Sequence, residues 1–248
     1  MTTIIICSPD SAKFQKTAAM YARFWPRDQL QVFHIPDAKS LAEAYNRAIR
    51  AAGGETIIFS HDDIEILSPD LAQRLAAHLA RFDIVGVAGT TLMGHPRWLQ
   101  AGPPYLFGQV AHPIPEGGFM VDIYGAPRRA IGQIQALDGL FLAMKTPVAR
   151  ALMFDEQTFD GFHGYDVDFT FRAYQAGYRL AVACDIQVLH ESPGNFDQTW
   201  ETYARRFIDK HVSRLALLPP KEFNWAWAKV DHKDAVREVM TPLSWDEP

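Results

Sequence analysis

The sequence predicts an α/β protein: a mixed, mostly parallel sheet flanked by helices, with a helical C-terminal extension. Three observations predict it. Residues 1–65 alternate β-α-β-α-β, the order that yields parallel strands joined by right-handed crossovers. The apolar run Thr56-Ile57-Ile58-Phe59 stops abruptly in Ser60-His61-Asp62-Asp63, as a central strand does when it delivers polar groups to the carboxyl edge of a sheet. The chain has 248 residues, 48% of them hydrophobic, enough to bury one large core or two small ones.

The elements follow in order. Ile4-Ile5-Ile6-Cys7 reads as the first strand, and Ser8-Pro9-Asp10-Ser11 as a turn able to cap a helix over 13–24, which ends before Pro26. Leu30 to Ile35 is the second strand. Ser40-Leu41-Ala42-Glu43 resembles a capping box, opening a helix to Ala52 that Gly53-Gly54 closes. The third strand is Thr56 to Phe59, the next helix Pro69 to Phe82, and the next strand Ile84 to Ala88. Between Gly94 and Gly132 lie 13 of the chain's 32 Gly and Pro residues, which predicts a long irregular loop of the kind that serves as a lid or binding loop. Trp98, Tyr105 and Phe107 lie within it and either pin it to the body or stack on substrate. An apolar strand over Ala136–Met144, interrupted by Asp138 and Gly139, precedes helices over 148–153 and 166–176, the second closed at Gly177. Leu180–Cys184 and Ile186–His190 read as strands. From Asn195 the chain reads as helical, with a break at Pro219-Pro220.

Composition excludes several classes. A formal charge of −5 and a pI near 6.0 give no footprint for nucleic acid. Two cysteines, Cys7 and Cys184, each inside an apolar run, argue for core fillers in a reducing compartment rather than a disulfide framework. Met1 to Cys7 lacks a basic leader and cleavage site, and no apolar run approaches the ~20 residues of a membrane span. A soluble, cytoplasmic protein is expected, with membrane contact only at the periphery through a partner.

Four constellations carry chemistry. His61-Asp62-Asp63 is a hard-cation site suited to Mg²⁺ or Mn²⁺ and to a diphosphate held by such an ion. Neighbours on an extended strand face opposite ways, so the two acids cannot serve alike. Asp63 is expected to ligate, and Asp62 to lie nearer a ribose or behind the ligands. In Phe159 to Arg172, Asp166 and Asp168 stand roughly 200° apart on a helix. Asp168 has Arg172 four residues on as an ion-pair partner. Asp166, at the helix start, is held ionised by the dipole and is either a general base or only an N-cap. His190 ends a strand and ligates only if the sheet brings it beside Asp63. Pro9, Asp37 and Asn46 lie on strand-end loops or on the second helix, where doubly wound sheets bind nucleotides. Neither a P-loop nor G-x-G-x-x-G follows the first strand.

At these residues the chain resembles nucleotide-sugar-dependent glycosyltransferases of the GT-A type, which are Rossmann-related. It is especially similar to the bacterial glycosyltransferase-like group whose metal motif is a His-x-Asp variant of Asp-x-Asp. The resemblance is carried, in order, by Ala44-Tyr45-Asn46, Ile58 to Ile64, Leu137 to Ala143, Phe154-Asp155, Phe162 to Phe169, Ala176-Gly177-Tyr178 and His190-Glu191-Ser192. It covers about residues 3–210, leaving 211–248 as an extension or tail. It implies a UDP-sugar or related donor and a Mn²⁺ or Mg²⁺ ion at Asp63 with His190 and His61. It implies a base at Asp166 performing inverting transfer, and an acceptor pocket with Asp138, Trp98, His163 and Asp168 as candidates. The acceptor would be a glycan, a lipid-linked molecule or a protein, as in polysaccharide biosynthesis. The chain departs from the pattern at His61, where an acid often stands, and at Tyr165, where many relatives carry a second acid. Two other readings stay open: a sugar nucleotidyltransferase, and a non-catalytic nucleotide- or glycan-binding protein.

Overall fold

The computed structural model describes residues 1–192, 194, 196–218, 225–242 and 245. The first half follows the sequence reading closely. β1 (Thr2–Cys7), α1 (Ser11–Tyr21), β2 (Leu30–Ile35), α2 (Leu41–Ala51) and β3 (Thr56–Ser60) alternate, with β1 parallel to both β2 and β3. The caps are those the side chains supply. Asp10 accepts from the Ala12 and Lys13 amides at the start of α1, and Ser40 Oγ accepts from the Glu43 amide at the start of α2. Ile4, Ile5, Ile6, Ile57, Ile58 and Phe59 are fully buried. Each contributes about 1.5–3 kcal/mol relative to exposure, and this fixes the strand ends at which the polar residues emerge.

The later strands are divided between two sheets. β4 (Ile64–Ile66), α3 (Leu71–Arg81), β5 (Ile84–Gly86), β6 (Ala88–Thr90), β7 (Leu106–Pro113), β8 (Phe119–Gly125), β9 (Ala130–Ile131), β10 (Ala136–Leu137) and β11 (Phe141–Lys145) come next. Then follow α4 (Thr146–Leu152), α5 (Tyr165–Gln175), β12 (Leu180–Ala183), β13 (Val188–His190), α6 (Gln198–His211), β14 (Ala226–Val230) and α7 (Lys233–Val239). One sheet runs β2-β1-β3-β11-β5-β12-β9 and the other β10-β6-β7-β13-β4, with β8 on β7 and β14 on β8. Pairings of both senses occur in each.

Two expected strands are each a pair. Ile84–Ala88 breaks at Val87, and Ala136–Met144 breaks at Asp138-Gly139-Leu140, because the chain leaves one sheet there and joins the other. An unbroken apolar run carries no mark of such a crossing. β3–β4 and β12–β13 cross in the same way.

The expected loop over 94–132 is also corrected. It holds the hairpin of β7 and β8, preceded by a 3₁₀ turn at Trp98–Ala101. Its glycines punctuate strands. Gly117 and Gly118 have φ of 93° and 81° in the hairpin turn, and Gly108, at φ 112°, forms the bulge beside Gln109. Nor is the extension only helical: β14 pairs with β8 along Ala226–Val230. The break expected at Pro219-Pro220 lies outside the described residues. Cys7 and Cys184 are free, and burial pushes both thiols up to about 12.

Candidate functional site

Two sheet crossings and one strand end deliver polar side chains to one cleft. Beyond β3 the backbone turns through His61-Asp62-Asp63 into β4. Beyond β10 it turns through Asp138 and Gly139 into β11, and β13 ends at His190. The His61 amide donates to Leu140 O at 3.1 Å, and the Glu191 amide to Asp63 O at 2.9 Å, so backbone bonds clamp the three turns together. The cleft between them has a volume of about 620 Å³. Ser8, Pro9, Ile35 and Pro36 line one end, Phe162, His163 and Gly164 another, with His61, Asp62, Asp63, Asp138, Asp166 and His190 between. A second cavity of about 630 Å³, at the opposite end of the sheet, is lined by α3, Trp25, Lys145 and Arg150. None of the expected site residues lines it.

His61, Asp63 and His190 offer two imidazole nitrogens and one carboxylate oxygen, all within 4.8 Å of one another. Asp63 Oδ1 lies 3.3 Å from His190 Nε2 and 3.9 Å from His61 Nδ1. Burial alone would raise the Asp63 pKa, but hydrogen bonds from His190 and Ser192, with the charge of the two histidines, hold the carboxyl well below its ordinary range. Burial, then His190, push His61 down, which keeps its lone pair free. A carboxylate beside two imidazoles is a donor set that fits a divalent transition metal. Asp62 turns the other way, as strand alternation demands: its Oδ2 accepts from Ser8 Oγ at 2.5 Å and its carbonyl from Thr17 Oγ1 at 2.7 Å.

Asp166 stands in the first turn of α5, whose N-cap is Gly164 in the left-handed region at φ 76°. The Gly139 amide donates to Asp166 Oδ2 at 2.8 Å. A Cβ on Gly139 would lie 2.6 Å from Tyr165 Oη and 2.8 Å from Asp166 Cβ, so the turn needs glycine for close approach. The expectation that the helix start keeps Asp166 readily ionised is overturned. Burial and then the charge of Asp138 raise its pKa to about 7, outweighing the backbone N–H groups that lower it. Asp138 is fixed in turn: Trp98 Nε1 donates to its Oδ2 at 3.0 Å and the Leu140 amide to its Oδ1 at 3.1 Å. His163 lines the cleft, with its pKa pushed down by burial. Asp138 and Asp166 also line a smaller pocket of about 100 Å³ with Trp98, Phe196 and Trp200.

Three candidates lie elsewhere. Asp168 is fully buried and bonded to Arg172 Nε at 2.8 Å, Lys210 Nζ at 2.7 Å and His211 Nε2 at 2.8 Å. Burial would raise it, yet these three partners hold it low, so it locks α6 onto α5 and lines none of the cavities described here. Asn46 is buried and spans the backbone at Phe154, donating to its carbonyl at 2.9 Å and accepting from its amide at 2.7 Å. Asp37 is an exposed partner of Arg47 at 3.0 Å, on the rim beside Pro36. Trp98 is buried and pins Asp138, which favours the pinning reading for this aromatic.

Sequence reasoning passed over Ser8 and Ser192. Ser192 Oγ donates to Asp63 Oδ2 at 2.6 Å and lies 3.4 Å from His190 Nε2. The period of two in extended chain, which puts residue 192 on the face of 190, was the available signal.

Among solved structures, the chain is similar to the mannosyltransferase PcManGT from Pyrobaculum calidifontis, solved in complex with GDP-Man and Mn²⁺, at 16% identity and a TM-score of 0.52. It is also similar to GalNAc-T7, solved with UDP, GalNAc and Mn²⁺, at 10% identity and a TM-score of 0.55. The matches cover 88% and 84% of this chain, which spans 66% and 47% of those two chains. At such identities the likeness concerns the fold, which is GT-A-like. No curated protein matches the sequence. Among the described residues no helix is long and apolar enough to cross a membrane. The model of one family, described as "Glycosyltransferase like family", matches residues 3–211, and the chain therefore belongs to that glycosyltransferase-like family.

Proposed function

We propose that this protein is a metal-dependent glycosyltransferase that moves a sugar from a nucleotide sugar, foremost a UDP-sugar, to a hydroxyl of a glycan, lipid-linked or protein acceptor, with inversion. One observation carries the reading: the His61–Asp63–His190 cluster and the Asp166 carboxyl open into the same cleft. Mn²⁺ suits two imidazoles and a carboxylate better than Mg²⁺, which prefers an all-oxygen shell. Bound there, the ion would neutralise charge on the departing nucleotide diphosphate. Asp63, His61 and His190 would hold it, and Ser192 would keep Asp63 aimed by its hydrogen bond. Ser8 fixes Asp62 at the nucleotide end, beside Pro9 and Pro36.

Asp166 takes the proton of the attacking hydroxyl. A base near pH 7 combines a useful ionised fraction with enough basicity to accept a proton in the transition state. The Gly139 amide orients the carboxylate, and the pocket with Trp98, Phe196 and Trp200 offers the acceptor an aromatic wall. A screen of nucleotide sugars for donor hydrolysis, followed by released nucleotide, tests the reading. Release of UDP from a UDP-sugar supports it. Release of GDP alone shifts the donor to GDP-mannose or its kin. Release of pyrophosphate from a triphosphate with sugar phosphate replaces it with the nucleotidyltransferase reading.

A further inference from the structure

The two ring nitrogens of His61 face different neighbours. Nδ1 is turned towards Asp63 Oδ1, 3.9 Å away, while Nε2 lies 3.3 Å from the Tyr165 hydroxyl oxygen. A neutral imidazole carries one proton, so the nitrogen that gives a lone pair to a metal leaves that proton on the other. With Nδ1 as the ligand, the proton sits on Nε2 and points at Tyr165. The opposite tautomer puts an N–H on the side of the Asp63 carboxylate, where it shuts a cation out. Which tautomer holds depends on whether Tyr165 receives a hydrogen bond from His61 or gives one to it.

The fold holds Tyr165 where it can receive. It is buried and opens α5 directly after the left-handed turn at Gly164. Its ring packs edge-on against Tyr45, with centroids 5.7 Å apart, and lies at 6.1 Å from that of Phe154. These contacts place the hydroxyl without help from His61. Gly139 leaves room for it, since a Cβ there would stand 2.6 Å from Tyr165 Oη. The hydroxyls of Tyr165 and Tyr45 also share a hydrogen bond. Tyr165 thus has an outlet for its own proton in Tyr45 and a lone pair to spare for His61. His61 is held from its backbone, the amide donating to Leu140 O at 3.1 Å.

We propose that Tyr165 is a positioning residue for the metal: its hydroxyl oxygen accepts from His61 Nε2–H and thereby keeps the Nδ1 lone pair aimed at the ion's place beside Asp63. The proposal rests on the metal-binding role given above to His61, Asp63 and His190. A partner behind a ligating histidine fixes its tautomer and ring orientation and raises its basicity. Asp166 follows Tyr165 directly in the chain. A single turn of α5 therefore ties the metal end of the cleft to the end that carries the base.

Two measurements test this without recourse to turnover. Long-range ¹H–¹⁵N correlation of the histidine rings reads which nitrogen carries the proton, first in the metal-free protein and then with Zn²⁺ as a diamagnetic probe. His61 should carry its proton on Nε2 in both states, and Tyr165→Phe should give a mixture of tautomers when metal is absent. Calorimetric titration of Mn²⁺ gives the affinity. Tyr165→Phe should weaken it about 10–100-fold, the usual cost of losing such a partner. In a His61→Ala background the same substitution should change it no further, because the effect runs through the imidazole. A proton on His61 Nδ1 in the metal-free parent overturns the proposal, and so does parent-like Mn²⁺ affinity in Tyr165→Phe. Equal losses in both backgrounds, the mark of a merely structural role, overturn it as well. Mn²⁺ affinity that Asp63→Ala leaves intact overturns the metal site itself, whichever tautomer is found.

Discussion

Asp63 and His190 meet at 3.3 Å because β4 and β13 lie side by side with His190 registered opposite Ile64, the residue after Asp63. The contact follows from strand pairing rather than from a flexible loop. Both residues are buried, Asp63 in the crossing between β3 and β4 and His190 at the end of β13. Sites built this way are held by the core itself, which is what a ligand set needs to be preformed.

The acid limb of activity should follow Asp166. Its pKa of about 7 means that the base is protonated and idle at pH 6 and ionised at pH 8. Turnover in the metal-loaded protein should rise about tenfold per pH unit below the midpoint and level off above it, a bound cation moving the midpoint lower. Asp166→Asn should lower kcat by roughly 10²–10⁴, the range lost with a general base, while leaving donor affinity unchanged. A pH–rate profile with the same midpoint in Asp166→Asn contradicts the assignment.

The same carboxyl should weaken the fold at high pH. A folded pKa raised above the unfolded value means that the native state holds the extra proton. Its contribution is full below the unfolded value near 3.8 and declines as pH rises to about 7. Asp166→Asn should therefore melt higher than the parent at pH 8 and nearly alike at pH 4. Asp168 has the opposite sign. Its pKa is lowered, so its contribution is present above the unfolded value and lost as pH falls through the folded one. Asp168→Asn leaves His211, Lys210 and Arg172 without their shared carboxylate. It should cost on the order of 3–5 kcal/mol and lower Tm by many degrees. Melting curves of the two variants at pH 8 should move in opposite directions, and movement in the same direction contradicts the division of roles.

Gly139→Ala should reduce turnover far more than it reduces stability. The added methyl would collide with Tyr165 Oη and the Asp166 side chain, displacing the base by a few tenths of an ångström or more. Misplacement on that scale can cost proton transfer about 10²-fold, against about 1–3 kcal/mol of stability for overpacking a tight site. Steady-state kinetics beside a melting curve checks this; parent-like kcat shows that the close approach is dispensable.

The legible parts of the sequence were those where one local signal decides. Asp10 and Ser40 announce helix starts by their capping oxygens. The apolar runs at 4–7 and 56–59 announce buried strands, and the acids that interrupt them announce a strand-end site. His190 depended on the sheet bringing it to Asp63, and β4–β13 pairing does so. What local pattern did not carry was long-range. The sheet crossings at Val87 and Asp138 leave no mark in an apolar run, and the Gly/Pro-rich stretch at 94–132 has the same composition whether it is a loop or a hairpin with a bulge. Asp168 and Asn46 share the residue types of a site but satisfy themselves inside the fold. Ionisation of Asp166 was misread because a helix start was visible in sequence, whereas Asp138, 28 positions away, was not.

As proposed, His61, Asp63 and His190 hold a divalent ion through which the nucleotide diphosphate binds. Calorimetric titration of UDP into the parent and into Asp63→Ala, each with and without Mn²⁺, is the decisive measurement. Mn²⁺ should strengthen UDP binding at least tenfold in the parent and have no effect in Asp63→Ala, with the two proteins alike when metal is absent. UDP binding that is equally tight with and without Mn²⁺ in the parent, or an Asp63→Ala protein that still responds to the metal, contradicts it.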